Sequence, residues 1–191
     1  KRQYDISLNS SKIYKKSQAN FKSEDYEMRQ EFYLSKDSTM VPIFIAYKKG
    51  ISFDMERPTL LYGYGGFNIP IKPYFNKSNI ILLESGGVYA SANIRGGSEY
   101  GQEWHEGGML LNKQNVFDDF IYAAKYLFRE GISSPEFLAI KGGSNGGLLV
   151  GAVVNQRPDL FRVAFPEVGV MDMLRYEKFT IGHAWAVEYG L

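Results

Sequence analysis

Cysteine is absent from the 191 residues, and histidine occurs only twice, at His105 and His183. A disulfide framework and cysteine metal sites are thereby excluded, and a zinc site built from clustered histidines has too few ligands to draw on. No run of 18 apolar residues is present, so no segment reads as a membrane-spanning helix. Charge of one sign is lacking too: 22 Lys and Arg stand against 21 Asp and Glu, for a formal net charge of +1. That balance gives no electrostatic basis for binding nucleic acid or a membrane surface. The first 22 residues are more basic, but without the interleaved aromatics of a nucleic-acid site they read as solvated. The sequence starts at Lys1 rather than Met, so the lack of a leader segment carries no weight.

What is present is an ordinary globular composition rich in aromatics, with 14 Tyr and 13 Phe, and in glycine, with 20. A domain of this length buries roughly 70% of the surface its unfolded chain exposes. Residues 1–25 are polar and read as a linker or as the last strand of something else. Beyond them, two β-rich runs, 26–34 and 41–47, flank a polar turn and predict an antiparallel hairpin. Further strands are expected at 59–62, 88–94, 137–140 and 163–168, with 80–83 readable as a helix end or a strand. Apolar side chains at 116, 117, 120, 121, 124, 127 and 128 share one helix face. For that helix Asn115 is the expected N-cap, and Asp118 and Asp119 suit the positive end of its dipole. A second helix is expected over 148–155. Strands alternating with helices predict an α/β fold with a mainly parallel sheet covered on both faces.

One local pattern carries chemistry. Gly142-Gly143-Ser144-Asn145-Gly146-Gly147 contains G-x-S-x-G between a strand and a helix. A nucleophilic serine needs such a turn, because its hydroxyl must project and the helix N-terminus must face the developing oxyanion. The competing reading is a glycine-rich turn that binds phosphate or merely packs closely. The run matches neither G-x-x-x-x-G-K-[ST] nor G-x-G-x-x-G, so no nucleotide cofactor is expected. Tyr64, in Tyr62-Gly63-Tyr64-Gly65-Gly66-Phe67, follows an earlier strand at the sheet edge where ligands bind. Its hydroxyl suits an oxyanion donor, beside the N–H of Asn145; the alternative is a surface aromatic in a loop.

Together these segments resemble the prolyl oligopeptidase family. The resemblance runs through Tyr62 to Asn68, Ala92 to Gly97, Glu99-Tyr100-Gly101, Trp104-His105, Asn112 to Asn115 and the serine run. It continues in Asn155 to Phe161, Gly169 to Leu174 and Thr180 to Trp185, and covers nearly everything from residue 26 onward. Ser98 departs from it, standing where a third glycine is usual. The resemblance implies an α/β-hydrolase catalytic domain joined to a β-propeller, acting on short proline-containing peptides without cofactor or metal. Its catalytic order is Ser, Asp, His. Carried over, Ser144 is the nucleophile, Tyr64 and Asn145 are the oxyanion donors, and Trp185, Tyr189, Phe67 and Val170 form the proline pocket. A proline ring is flat and apolar, which an indole face matches by stacking. Read without the resemblance, Trp185 is an ordinary core aromatic.

A serine is a poor nucleophile without a base. The family's acid and histidine follow two further strands, for which the 47 residues after Ser144 leave no room. Asp172 and His183 stand in the right order but precede completion of the sheet, and His105 precedes the serine at a position matching a non-catalytic one. The expectation is therefore an incomplete α/β-hydrolase fold. Residues 1–25 would form the return connection from an absent β-propeller, and 26–191 the N-terminal portion of the peptidase domain. The C-terminal catalytic segment would also be missing, and the chain alone inactive. A monomer in the cytoplasm is expected, with periplasmic or secreted locations left open. Cleavage after basic residues, as in oligopeptidase B, and carboxylesterase activity are the alternatives.

Overall fold

Alternation at period two decides the first long strands. In the computed structural model, which describes residues 2–15, 21–74 and 76–191, Val41, Ile43, Ile45 and Tyr47 all point into the core. They belong to β4 (Met40–Lys48), which pairs antiparallel with β3 (Tyr26–Leu34) in a register running from Tyr26 opposite Lys48 to Leu34 opposite Met40. The predicted hairpin is present. Before it, β1 (Arg2–Asp5) and β2 (Ser10–Ile13) form a separate two-stranded ribbon, exposed throughout. The linker reading of 1–25 falls partly on residues 1 and 16–20, outside the described residues.

The main sheet continues with β5 (Thr59–Tyr62), β6 (Val88–Ala92), β7 (Leu138–Gly143) and β8 (Val163–Glu167), in the order β3-β4-β6-β5-β7-β8. The pairings β3–β4 and β4–β6 are antiparallel; β6–β5, β5–β7 and β7–β8 are parallel. Helix α1 (Lys77–Glu84) settles the ambiguous run at 80–83 as helix, opened by Asn76, whose side chain accepts from Ser78 N at 3.0 Å. Short α2 (Gln102–Glu106) precedes α3 (Lys113–Arg129), and α4 (Asn145–Gln156) joins β7 to β8. Helices α3 and α4 touch each other on one face, while Phe44 and Ala46 of β4 face Ile80 and Leu83 of α1 on the other.

The start of α3 differs from expectation. A 3-10 turn at Leu110–Asn112 leads into the helix, which begins at Lys113, so Asn115 lies inside the first turn rather than capping it. The Asn115 side chain donates instead to Gly107 O at 3.0 Å and holds the preceding loop. Asp118 and Asp119 accordingly lie beyond the first turn, where the dipole no longer explains them. Asp118 pairs with Lys36 on the surface. Asp119 is fully buried and accepts from Arg95 three times, through N and Nε at 3.0 Å and Nη2 at 2.7 Å. Arg95 also grips Asp37 in the β3–β4 turn, at 2.6 and 3.2 Å. The hairpin turn, the loop after β6 and helix α3 are thereby pinned at one guanidinium, a fork geometry that suits paired carboxylates.

Removing one partner of such a buried pair strands the other charge. Asp119→Ala is expected to cost about 3–5 kcal/mol of unfolding free energy, read from denaturant titration. The Arg95 hydrogen bonds hold the Asp37 carboxyl down at about 2, below its ordinary 3.8. Its contribution to stability is therefore present above pH ~4 and lost as pH falls through about 2, a loss that Asp37→Asn should remove from the acid unfolding profile.

Candidate active site

Strand β7 ends in two glycines, and the chain reverses at Ser144 with φ +57° and ψ −116° before α4 begins at the next residue. A non-glycine residue in that region costs on the order of 1–3 kcal/mol and persists only where its surroundings enforce it. The enforcement is visible. Ser144 N donates to Glu167 O in β8 at 2.9 Å, and Ser144 O accepts from Gly147 N and Leu148 N at 2.9 and 3.1 Å. A Cβ on Gly142 would lie 2.2 Å from Gly146 O, and one on Gly146 would lie 2.6 Å from Gly63 O. Both flanking glycines of the motif are therefore demanded by backbone crossings. Ser144 itself is exposed between buried Gly142 and Asn145, so its hydroxyl projects.

Tyr64 stands on the loop that leaves β5, and Asn145 Nδ2 donates to Tyr64 O at 2.6 Å, tying that loop to the first residue of α4. The Tyr64 phenol is half-buried and close enough to the Ser144 side chain for a contact that pulls its pKa down. Burial and the nearby Glu188 carboxylate push the other way, and the net shift is upward. The phenol therefore stays protonated, as a hydrogen-bond donor must.

The four expected pocket residues are not equivalent. Phe67 and Tyr189 meet edge to face at 5.5 Å, and Tyr189 meets Tyr176 the same way at 5.4 Å. The Tyr189 hydroxyl donates to Asn145 Oδ1 at 3.0 Å, and its own pKa is pushed well up by burial. Trp185 is half-buried at the end of the 3-10 turn Gly182–Trp185, directly before α5 (Ala186–Tyr189), with no ring pairing among the described residues. Val170 is half-buried after β8, next to Gly169, whose Cα lies 2.6 Å from where a Cβ on Gly147 would be. Ser144, Tyr64, Asn145, Phe67 and Tyr189 thus form one contiguous cluster, which Trp185 and Val170 adjoin through the chain.

Three residues in this cluster had no sequence signal of a role. Glu188 is buried at 1% exposure. It meets Lys113 Nζ at 3.2 Å with one oxygen and His105 Nε2 at 2.9 Å with the other. Lys113 Nζ also donates to Gly65 O at 2.9 Å and Asn145 Oδ1 at 3.0 Å. His105 and Glu188 are 83 residues apart in sequence, so no local pattern announces them. Among the described residues neither histidine bonds Ser144: His105 faces Glu188, and His183 is exposed. Asp172 is held by Arg175 at 2.5 and 2.8 Å, so Asp172 and His183 do not assemble as acid and base. Among the described residues no acidic or histidine cluster is placed to hold a metal. A cavity of about 340 Å³ under α1 is lined by other residues and lies away from this chemistry.

Known proteins resemble this chain in sequence and in fold. The family model described as the prolyl oligopeptidase family matches residues 73–190. A prolyl endopeptidase of Elizabethkingia meningoseptica is 52% identical over 187 residues, covering 98% of this chain and 26% of the relative. One from Dictyostelium discoideum is 54% identical over 173 residues, covering 89% and 23%. A structure from a study of two prolyl endopeptidases superposes with a TM-score of 0.94 at 48% identity, covering 99% of this chain and 28% of that one. A post-proline cleaving enzyme from Rickettsia typhi gives 0.93 at 45%, covering 97% and 27%. The chain spans about a quarter of the length of these relatives. Its mixed sheet with helices on both faces is an incomplete α/β-hydrolase fold of their kind. The chain belongs to the prolyl oligopeptidase family.

Proposed function

We propose that this chain carries the nucleophile and the oxyanion donors of a serine endopeptidase that hydrolyses short peptides on the C-terminal side of proline. The observation that carries the reading is the strained, exposed Ser144 at the head of α4, with the Tyr64 phenol beside it. Ser144 Oγ attacks the carbonyl carbon of the residue whose ring fills the pocket. The oxyanion is held by the Tyr64 hydroxyl and the Asn145 N–H, the C–N bond breaks as the proton taken from Ser144 passes to the departing amine, and the acyl group remains on Ser144 until water releases it as the free acid. Phe67, Tyr189, Trp185 and Val170 offer the apolar surface that a proline ring requires.

The attack needs a base to take the Ser144 proton. The membership of the chain in a family whose relatives are about four times longer favours a base supplied by other parts of the whole protein. The edge of the sheet points the same way. Strand β8 pairs only with β7 among the described residues, and its Val163 and Phe165 are 43% and 46% exposed. Exposed apolar edge strands are aggregation hazards that complete domains cover. In this reading the acid, the histidine and the remaining strands pack on that edge, and the β-propeller connects through residues 1–25. The 191 residues alone would then lack turnover.

Two other readings are weaker. Cleavage after basic residues needs a free carboxylate in the pocket, but Glu188 is already committed to Lys113 and His105. A carboxylesterase would use the same elbow, but the relatives are peptidases.

The Tyr64→Phe variant of the full-length protein should lose about 10²–10³ in kcat with little change in KM, because the hydroxyl acts only once charge develops on the oxygen. Paired reporter peptides with proline or arginine before the scissile bond should show strong preference for proline. Arginine preference, or hydrolysis of esters without any peptide cleavage, would overturn the reading.

A further inference from the structure

The tie between Lys113 and Glu188 is peculiar in what it joins. An ammonium has three N–H donors. Those of Lys113 find three acceptors on three separate segments: Gly65 O in the Tyr64 loop, Asn145 Oδ1 at the head of α4, and Glu188 Oε1 in α5. The Lys113 side chain is 14% exposed and the Glu188 side chain 2%. Burial pushes the Lys113 pKa down and the Glu188 carboxylate pushes it back up, with burial prevailing. The second Glu188 oxygen is taken by His105 Nε2. Among the described residues no hydrogen bond joins Lys113, Glu188 or His105 to Ser144, so the mechanism above does not use these three side chains.

Asn145 is the pivot. Its amide nitrogen donates to Tyr64 O, and its amide oxygen accepts from both Lys113 Nζ and the Tyr189 hydroxyl. The residue that offers its N–H to the oxyanion is therefore held through both ends of its side chain. Lys113 Nζ also stands 5.4 Å from the centre of the Tyr189 ring. A buried ion pair adds little stability over a well-packed apolar pair, so stability alone is a poor reason for these charges.

We propose that Lys113, balanced by Glu188, is a positioning residue that sets the geometry of the oxyanion donors Tyr64 and Asn145. The proposal rests on the roles given to Ser144, Tyr64 and Asn145 above. A donor displaced by about 1 Å costs on the order of 10² in rate, and the loss falls on the transition state rather than on the bound substrate. Lys113 therefore acts on kcat, through two donors it does not replace.

The test compares three variants of the full-length protein. Lys113→Met removes the three donors at similar length. Lys113→Met combined with Glu188→Gln removes both charges and so leaves no unpaired carboxylate beside the site. Ser144→Ala is the control for the underlying reading. For each, kcat and KM on a proline reporter are measured with the thermal midpoint. Affinities are also measured for a peptide ending in proline and for a peptide aldehyde, which forms a tetrahedral adduct on the serine. The expected result is a loss of kcat on the order of 10² in both Lys113 variants, with KM within about threefold. Aldehyde affinity should fall in step with kcat/KM, peptide affinity should hold, and the double variant should melt near the parent. Parental kcat in the double variant overturns the proposal. So does a proportional fall in both affinities, or failure of both Lys113 variants to fold, each of which would make the pair structural. Turnover retained by Ser144→Ala would instead bring down the assignment of the nucleophile.

Discussion

Ser144 has a positive φ, and the backbones around it pass too close to admit a side chain. Gly142 and Gly146 leave no room for a Cβ against each other and against Gly63. Strand β8 reaches in to accept the Ser144 N–H through Glu167 O. Three parallel strands, β5, β7 and β8, thus converge under one residue, and α4 starts from it. The rest of the proposed site depends on this crossing. It leaves Ser144 exposed at the end of β7, starts α4 at Asn145, and brings the end of β5, with Tyr64, alongside.

Two buried charge clusters hold the surroundings in register. Arg95 gathers the hairpin turn, the loop after β6 and α3 through Asp37 and Asp119. That same loop is bound to the region of Tyr64, since Asn68 N donates to Gly96 O at 3.1 Å. Lys113 gathers the Tyr64 loop, the head of α4 and α5. Helix α3 supplies Asp119 to one cluster and Lys113 to the other. One helix thus ties both clusters together. Buried polar networks of this kind confer uniqueness more than stability, provided that every member is satisfied.

How much of this was legible follows from range. The hairpin, the alternation of strand and helix and the G-x-S-x-G turn are local patterns, and all are present. Helix α4 was predicted to begin at 148 but begins at Asn145, because the glycines after Ser144 have low helical propensity and are kept helical by the packing around them. Asn115 and Asp119 were given local roles at a helix start, yet both serve tertiary contacts, to Gly107 and Arg95. Lys113 and Glu188 are 75 residues apart, and no local pattern announces their contact. Phe67 and Tyr189 are implied by the resemblance, and their ring contact crosses an even longer gap in the chain.

The central claim is that Ser144 is the attacking group. Its most direct measurement is mass-spectrometric mapping of the full-length protein after reaction with a fluorophosphonate, which phosphonylates an activated serine. The account predicts a single adduct, on the peptide containing Ser144. An adduct on another serine, or an active protein left unmodified at Ser144, would contradict it.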